Sequence, residues 1–309
     1  MPLCVMGRET RLIAVQKIGV GKLTMRKQFK KICLNCNEPF TTIRKNQKCC
    51  SIACDRELRK EQQRQEISKI PIIQTWACGG GVQSTAIAVL ITLGELPKPD
   101  YAYMVDCGYE KTKTMNYVNE ITIPKLQKVG VTLNIIKGGG PIIDTNQYIL
   151  IPAYGNENGN IRKYPTFCND NWKVVPSKRW LREQGIERCD NWIGMSWDEE
   201  HRKRISPLWW IQNKYPLCDM KLTRWDCTKI IRDNGWPMAP RSSCLMCPLQ
   251  DDNAWFDMKR NWKEDWERAI SIEREIQKVK PNTYLHRSCK PLDEVDFKIM
   301  RTIQREILF

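Results

Sequence analysis

The sequence predicts an α/β fold in which helices cover the faces of a parallel β-sheet. Three short, largely apolar runs, each typical of a buried strand, occur at residues 71–77, 101–105 and 131–136. Segments of helical length separate them, at residues 84–93 and 113–128. Because strands that are joined by helices pair in parallel, this alternation predicts a parallel sheet.

The remaining segments extend this pattern in both directions. A fourth strand is predicted at residues 192–195, a helix at 223–234 and a helical segment at 251–280. Residues 137–175 are rich in glycine and predict a long irregular stretch, which inside a compact domain is usually functional or disordered. Near the N-terminus, the highly charged segment 55–69 predicts an exposed helix.

Positive charge is concentrated near the N-terminus. The chain has a net charge of +15, and residues 1–70 carry 16 Lys or Arg but only 6 Asp or Glu. Such a segment favours a polyanionic partner, above all nucleic acid, although a solvated tail that maintains solubility explains the charge equally well. No long uncharged apolar run and no signal-peptide pattern occurs. We therefore expect a cytoplasmic protein with no membrane partner.

The cysteines indicate metal ligation, because the chain has 15 of them and disulfides are rare in the cytosol. Cys33, Cys36, Cys50 and Cys54 follow the pattern C-x2-C-x13-C-x3-C, which predicts a tetrahedral zinc site. Cys49 is the alternative third ligand, but a helix opened by Cys50 carries Cys54 on the same side one turn later. The module resembles treble-clef fingers. Its basic surroundings predict contact with nucleic acid, with a structural or protein-docking role as the alternative.

A glycine-rich loop follows the first predicted strand. Gly79, Gly80 and Gly81 form the turn, and Ser84 and Thr85 open the next helix. Glycines let the backbone approach an anion closely, and the helix N-terminus supplies free N–H groups and a favourable dipole. The loop lacks the lysine of a Walker A motif and the spaced glycines of a dinucleotide fingerprint. It predicts a phosphate-binding site, with a plain tight turn as the alternative.

Six motifs, in order, resemble one enzyme family over about residues 72–295. They are the glycine loop, Val105–Glu110, Cys168 with Lys173 and Pro176, Gly194–Glu199, Arg224–Cys227 and Ser243–Pro248. Together they resemble the phosphoadenosine phosphosulfate reductase branch of the adenine nucleotide alpha-hydrolase (PP-loop ATP pyrophosphatase) superfamily, including its phage and prophage members. The N-terminal treble-clef-like zinc finger is an addition to this pattern.

The resemblance implies a doubly wound sheet with ATP or phosphoadenosine phosphosulfate at the carboxyl ends of the strands. It implies that the glycine loop, including Gln83, holds the phosphates, and that Val105, Asp106 and Gly108 border the adenosine. Gly79 stands where the superfamily usually has Ser, and Gln83 where it usually has Asp. That Asp orients the loop and influences the handling of phosphate and of magnesium. Its replacement leaves nucleotide binding expected and turnover open.

A second group of cysteines predicts another metal centre. Cys244 and Cys247 have chelate spacing, and Cys168 and Cys227 lie in neighbouring motifs of the resemblance. Four thiolates suit zinc or an iron–sulfur cluster, and the spacing does not choose between them. The alternative is that these are small buried hydrophobes, as free cysteines often are. The resemblance favours a 4Fe–4S cluster, while zinc stays open.

Candidate catalytic residues follow from the matched motifs. Lys173 and Arg224 are expected to clamp sulfate or phosphate, against the alternative of solvated surface roles. Asp198 and Glu199 are candidate acids or metal ligands, although carboxylates at the start of a helix are commonly caps.

Three functions are compatible with these residues. The first is ATP-dependent adenylation of a substrate for sulfur transfer, with nucleic acid as an acceptor and a sulfur or electron donor protein as a partner. The second is reduction of phosphoadenosine or adenosine phosphosulfate by a nucleophilic cysteine. The E-C-G-x-H motif of the reductases is absent, and Cys289 is the nearest substitute. The third is a non-catalytic nucleotide-sensing, DNA-binding module, which Gln83 permits.

The predicted domain order places each of these features in its own segment. A basic arm at residues 1–30 precedes a zinc finger with its exposed helix at 31–69. A PP-loop nucleotide-binding domain follows at residues 70–250, and a helical C-terminal segment at 251–309 completes the chain.

Overall fold

Five parallel strands form the central sheet of the structure, a computed structural model that describes residues 28–141 and 151–297. The strands of the described residues are β1 (Phe29–Ile32), β2 (Pro39–Thr42), β3 (Ile73–Ala77), β4 (Tyr101–Asp106), β5 (Leu133–Lys137), β6 (Tyr154–Glu157), β7 (Asn160–Lys163), β8 (Cys189–Ile193), β9 (Ile211–Lys214) and β10 (Thr283–Tyr284). The helices are α1 (Ile52–Lys69), α2 (Val82–Leu93), α3 (Thr112–Tyr117), α4 (Ile123–Gln127), α5 (Val175–Glu183), α6 (Pro216–Asp219), α7 (Arg224–Asp233), α8 (Asp252–Asn261) and α9 (Lys263–Val279).

The chain divides between Lys69 and Ile70 into two compact units, called here unit 1 (residues 1–69) and unit 2 (residues 70–309). Unit 1 contains the β1–β2 hairpin and α1, and unit 2 contains the central sheet. Most of the predicted basic arm, part of the glycine-rich stretch and the C-terminal residues lie outside the described ranges.

The central sheet has the strand order β5-β4-β3-β8-β9, and every neighbouring pair is parallel. Trp76 of β3 lies opposite Ala102 of β4 and Trp192 of β8. The chain leaves β3 toward β4 on one side and later returns to β8 on the other side. The crevice at the carboxyl end of β3 is therefore the topological switch point of the sheet, where ligands bind in open α/β folds.

Helices pack on both faces of this sheet, as the doubly wound prediction requires. On one face, α2 packs against α4 and α7 around a core that includes Trp76, Leu90 and Ile231. A second core, which includes Tyr103, Leu245 and Trp255, holds the residues of the other face. The predicted α/β fold with a parallel sheet is confirmed.

Two predicted helical segments are interrupted. The predicted helix at 113–128 consists of α3, a π-helical turn at Val118–Thr122, and α4. Pro124 lacks an N–H group and cannot complete the ladder of an α-helix, so the helix widens just before it. The predicted segment at 251–280 is two helices, α8 and α9, which meet at Trp262, where the backbone leaves the helical region.

A small antiparallel sheet, in the order β10-β6-β7, lies within unit 2. The β6–β7 hairpin falls inside the stretch that was predicted to be irregular. Its two-residue loop is Asn158-Gly159, and both residues have positive φ values, of 53° and 85°. An Asn-Gly turn between paired strands is a strong hairpin signal that the sequence prediction missed. Strand β9 was missed as well, since it is short and largely polar.

No helix within the described ranges combines the length and the apolar character that crossing a membrane requires.

Candidate functional site

The glycine loop joins the carboxyl end of β3 to the N-terminus of α2. Gly81 is the N-cap of α2, and no side chain caps the helix there. The first N–H groups of a helix have no intrahelical partner, and the helix dipole favours negative charge at this end. The backbone N–H of Gly79 donates to Ser84 Oγ over 2.9 Å, which holds the loop over the first turn. The loop thus presents free N–H groups and the positive end of the helix dipole at the switch point of the sheet, an arrangement that favours an anion.

Close contacts explain two glycines of this loop and a third glycine that packs against it from the end of β8. Gly80 has a φ of +69°, and a Cβ there would lie 2.9 Å from Thr114 Cγ2. A Cβ on Gly81 would lie 2.7 Å from Ser242 Oγ. On the β8 side, a Cβ on Gly194 would lie 3.1 Å from the backbone nitrogen of Ser84. Three segments therefore pack closely against the glycine loop: α3, the loop that carries Ser242, and the end of β8.

The hydroxyl groups at the start of α2 differ in position. Ser84 Oγ accepts a hydrogen bond from the backbone N–H of Gly79. Thr85 is only 1% exposed and its backbone N–H donates to the carbonyl of Gly81. Both residues that were predicted to contact phosphate through their hydroxyls are buried in the first turn of α2, and the Ser84 hydroxyl contacts the backbone of the glycine loop.

Gln83 lies between a carboxylate and a guanidinium group. Its Nε2 donates to Glu199 Oε2 over 3.1 Å and to Ser196 Oγ over 3.4 Å. Its Oε1 accepts from Arg224 over 3.2 Å. Glu199 is also ion-paired with Arg202. A neutral amide satisfies both neighbours at once, whereas an Asp or Glu at this position would face the Glu199 carboxylate.

The predicted catalytic residue Arg224 is the first residue of α7, and both its backbone and its side chain form hydrogen bonds. Its backbone N–H donates to Asp198 Oδ1 over 2.9 Å, and its guanidinium contacts Gln83. Asp198 therefore stabilises the start of α7 in the way that a capping residue does. Thr223 and Asp226 complete the same helix end with a capping box. The arrangement directs the Arg224 side chain toward the glycine loop.

The end of β4 forms the edge of a cleft of about 520 Å³. Asp106 Oδ1 accepts from the backbone N–H of Gly108 over 2.7 Å, and Gly108 has a φ of +72°. Residues 135–140 at the end of β5 line the other side of the cleft. Val105, one residue earlier, is buried. The turn that was predicted to border the adenosine thus borders an open cleft beside the switch point.

Lys173, the other predicted catalytic cation, forms an ion pair with Glu110. The Lys173 Nζ to Glu110 Oε1 distance is 2.6 Å, and the Glu110 side chain is only 1% exposed. Burial works against the ammonium group, but the charges of Glu110 and Cys244 outweigh it and raise the pKa of Lys173. Glu110 Oε2 is buried and has no hydrogen-bond partner among the described residues. Lys173 is therefore held by Glu110 and is not a freely mobile surface cation.

The four cysteines of the predicted second metal centre are not brought together. Cys227 is 0% exposed and belongs to the core between α2 and α7, with Ile231. Cys168 packs against the second core of unit 2, and Cys244 and Cys247 flank Leu245 and Met246, which belong to that core. Within the described part of the chain, no three of these four thiols lie within 4.8 Å of one another, a spacing that one tetrahedral zinc ion would need.

In unit 1, by contrast, the four predicted finger thiols do converge. The Sγ atoms of Cys33, Cys36, Cys50 and Cys54 all lie within 4.8 Å of one another. Cys49, the alternative ligand, is buried beside them and is not a member of this group. The Cys36–Cys50 and Cys50–Cys54 Sγ distances are 3.7 and 3.6 Å. A tetrahedral ion with Zn–S bonds of about 2.3 Å needs thiolates about 3.8 Å apart, so the group fits such an ion.

The backbone around Cys33 favours the thiolate form of this cysteine. Cys33 lies at the end of the β1–β2 hairpin, where Asn37 takes a positive φ of 59° and donates its N–H to the Cys33 carbonyl. The backbone N–H of Cys36 is the largest influence that lowers the pKa of Cys33, to about 5. A thiolate at neutral pH is the form that ligates metal. In the described part of unit 1, only Cys33, Thr42 and Cys49 are buried. So small a core contributes little stability, which favours a fold that depends on a bound metal ion.

Cys289, the candidate reductase nucleophile, is buried and only 7% exposed. Burial raises the pKa of its thiol, which keeps it protonated and unreactive at neutral pH. His286 does not activate it, since its ring nitrogens contact Ser288 and Asp252 instead.

No family model and no curated protein sequence matches the chain. Among solved structures, it is similar to phosphoadenylyl-sulfate (PAPS) reductase from Candida auris in a phosphate complex, with 14% identity and a TM-score of 0.35. That match covers 61% of this chain and 89% of the reductase. It is also similar to the U34-tRNA thiolase NcsA from Methanococcus maripaludis with its 4Fe–4S cluster, with 15% identity and a TM-score of 0.35. This second match covers 80% of this chain and 87% of the thiolase.

Proposed function

We propose that unit 2 binds an adenine nucleotide, with its phosphates on the glycine loop and its adenosine along the end of β4. The observation that carries this proposal is the position of the loop, between the central strand β3 and the uncapped N-terminus of α2. Gly80, Gly81 and Gly194 leave no room for side chains there, so backbone N–H groups line the site.

We further propose that the bound ATP activates a substrate by adenylation. A substrate oxygen attacks the α-phosphorus and pyrophosphate leaves, and a sulfur nucleophile from a donor protein then displaces AMP. In this proposal Arg224, which contacts Asp198 and Gln83, stabilises the negative charge that develops near the loop. The carboxylate of Glu199, 3.1 Å from Gln83, is the group available to influence a magnesium ion that enters with ATP.

The acceptor that we propose is nucleic acid, recruited through unit 1 and the basic N-terminal region. The four finger thiols fit zinc, and basic side chains flank them on the hairpin and on α1. Two observations support a nucleic-acid acceptor: the positive charge of residues 1–70, and the highly charged helix α1, which has no buried residue.

Sulfonucleotide reduction is the weaker candidate because Cys289 is buried and its thiol is held protonated. One observation favours a non-catalytic nucleotide sensor. The residue at the loop is the neutral Gln83, which supplies no carboxylate where the superfamily usually has an Asp.

The test is pyrophosphate release from ATP, measured with and without RNA or DNA, on the full chain. We expect release that depends on nucleic acid and that is lost in Arg224→Ala. Bound ATP without any pyrophosphate release would reject adenylation and leave a sensor. Sulfite release from phosphoadenosine phosphosulfate with reduced thioredoxin would instead establish the reductase.

A further inference from the structure

Ser242 belongs to a segment that is distant from the glycine loop in sequence, yet it lies against the N-cap of α2. A Cβ built on Gly81 would lie 2.7 Å from Ser242 Oγ, and 3.5 Å from both the Cβ and the backbone nitrogen of Ser242. No motif in the sequence assigns a role to this serine. Its side chain occupies the space that the side chain of an N-cap residue would otherwise take.

The backbone conformation of Gly81 does not require a glycine. Its φ of −102° and ψ of −173° are extended values that any residue adopts. Ser, Thr, Asp and Asn are preferred at this position because their side chains accept from the first N–H groups of the helix. The N-cap of α2 has no side chain and makes no such bond. The closeness of Ser242, and not backbone conformation, is therefore the reason for a glycine here.

Contacts with the turn after β4 fix the segment that carries Ser242. Glu110 and Cys244 form an isolated antiparallel bridge. One residue later, the backbone N–H of Leu245 donates to the carbonyl of Tyr109 over 2.8 Å. Because backbone contacts of its own segment place Ser242, its position beside the loop is set before any ligand binds.

Ser242 has two hydrogen-bond donors that the fold does not use. Among the described residues, neither its hydroxyl nor its backbone N–H makes a hydrogen bond. The serine is therefore not a substitute cap for α2, although it lies at the right place for one. It is partly exposed, so a ligand can reach it. An anion there can accept from the hydroxyl and from the free N–H groups of the helix together.

We propose that Ser242 is a phosphate-binding residue, whose hydroxyl donates to a phosphate oxygen of the nucleotide on the glycine loop. The inference rests on the proposed nucleotide site and adds to it a residue from a distant segment. The loop backbone approaches the phosphate from one side and Ser242 from the other. Since this hydroxyl contacts phosphate and not the nucleoside, it strengthens the binding of ATP without strengthening that of adenosine.

Calorimetric titration of the full chain with ATP and with adenosine tests the inference. The variants are Ser242→Ala and, as a matched control, Ser243→Ala, because Ser243 is not among the atoms nearest to any glycine of the loop. We expect Ser242→Ala to weaken ATP binding about tenfold, since a hydrogen bond to a charged group is lost. Adenosine binding should stay unchanged in Ser242→Ala, and Ser243→Ala should bind both ligands as the wild type does.

A pair of variants tests the contact itself without a ligand. Gly81→Ala should lower the urea midpoint of unfolding, because the new Cβ would lie 2.7 Å from Ser242 Oγ. In the Ser242→Ala background that oxygen is absent and the nearest atoms lie at 3.5 Å, so Gly81→Ala should lower the midpoint less. Ser242→Ala alone removes no hydrogen bond between described residues and should unfold at the wild-type midpoint.

The inference is overturned if Ser242→Ala binds ATP as tightly as the wild type, or if Ser243→Ala weakens ATP binding to the same extent. Equal weakening of adenosine binding by Ser242→Ala also overturns it, because the loss would then not come from phosphate. A wild type that binds no ATP rejects the proposed function and this inference with it. ATP binding that survives in Ser242→Ala rejects the inference alone.

Discussion

Gly80→Ala is expected to damage the glycine loop, whereas Gly79→Ala, one residue earlier, is not. Gly80 has a φ of +69°, and an added Cβ would lie 2.9 Å from Thr114 Cγ2, 3.2 Å from Met104 Cε and 3.3 Å from Val118 Cγ2. At Gly79, the nearest atom to an added Cβ is Ser84 Oγ at 3.4 Å, which is an ordinary contact.

The expected magnitude follows from two costs. A left-handed backbone conformation costs an L-residue about 1–2 kcal/mol, and overpacking a tight site costs about 1–3 kcal/mol. Gly80→Ala should therefore lower the free energy of unfolding of unit 2 by about 2–5 kcal/mol. If the loop relieves the strain by moving, a cost of about 2 kcal/mol corresponds to a roughly thirtyfold weaker affinity for ATP. Gly79→Ala should stay within about 1 kcal/mol on both measures.

Urea unfolding followed by tryptophan fluorescence is the suitable assay, together with calorimetric titration with ATP. All 12 tryptophans lie in unit 2, so the signal reports the sheet and not the finger. The reasoning is refuted if Gly80→Ala matches the wild type in both stability and ATP affinity. Equal damage from Gly79→Ala would refute it as well.

Three further predictions concern buried charge and the finger. Lys173→Met leaves the Glu110 carboxylate buried without a partner and should cost about 3–5 kcal/mol in urea unfolding, most of which the added change Glu110→Gln should restore. Lys111→Met should stabilise unit 2 at pH 7 by about 3 kcal/mol, because burial, and then the charge of Lys113, lower the pKa of Lys111 from 10.5 to about 8. The destabilisation by charged Lys111 is greatest below pH 8 and disappears as the pH rises toward 10.5. The unfolding free energies of the wild type and of Lys111→Met should therefore converge near pH 10.5. A difference that does not change with pH would contradict an origin in the charge of Lys111. Cys54→Ser should abolish zinc binding and expose unit 1 to proteases without changing tryptophan fluorescence, and a protease-resistant unit 1 without zinc would contradict a metal-dependent fold.

Much of the fold was predictable because hydrophobic periodicity and glycine signals are local. The run that became β3, the glycine turn and the start of α2 all follow from adjacent residues. β9 was not predictable in this way, because a four-residue edge strand with polar residues carries no apolar pattern. The Asn158-Gly159 turn was predictable in principle, since its sequence alone signals a hairpin.

The candidate site was predictable only where its residues are close in sequence. The finger ligands lie within 22 residues, and their spacing alone indicates the group that the structure assembles. Contacts between segments that are distant in sequence could not be predicted from local patterns. Two examples are the contact of Ser242 with Gly81 and the hydrogen bond between Gln83 and Glu199. Cys227 was grouped with Cys244 because both lie in cysteine-containing motifs, but α7 carries Cys227 into the core against α2.

Hydrogen–deuterium exchange of the full chain with saturating ATP tests the central claim most directly, because it locates the nucleotide without assuming an activity. The account predicts that ATP slows amide exchange at residues 79–85 and at the turn 105–108, and that Gly80→Ala weakens this protection. Exchange that ATP leaves unchanged at residues 79–85, or protection confined to the finger, would contradict nucleotide binding at the glycine loop.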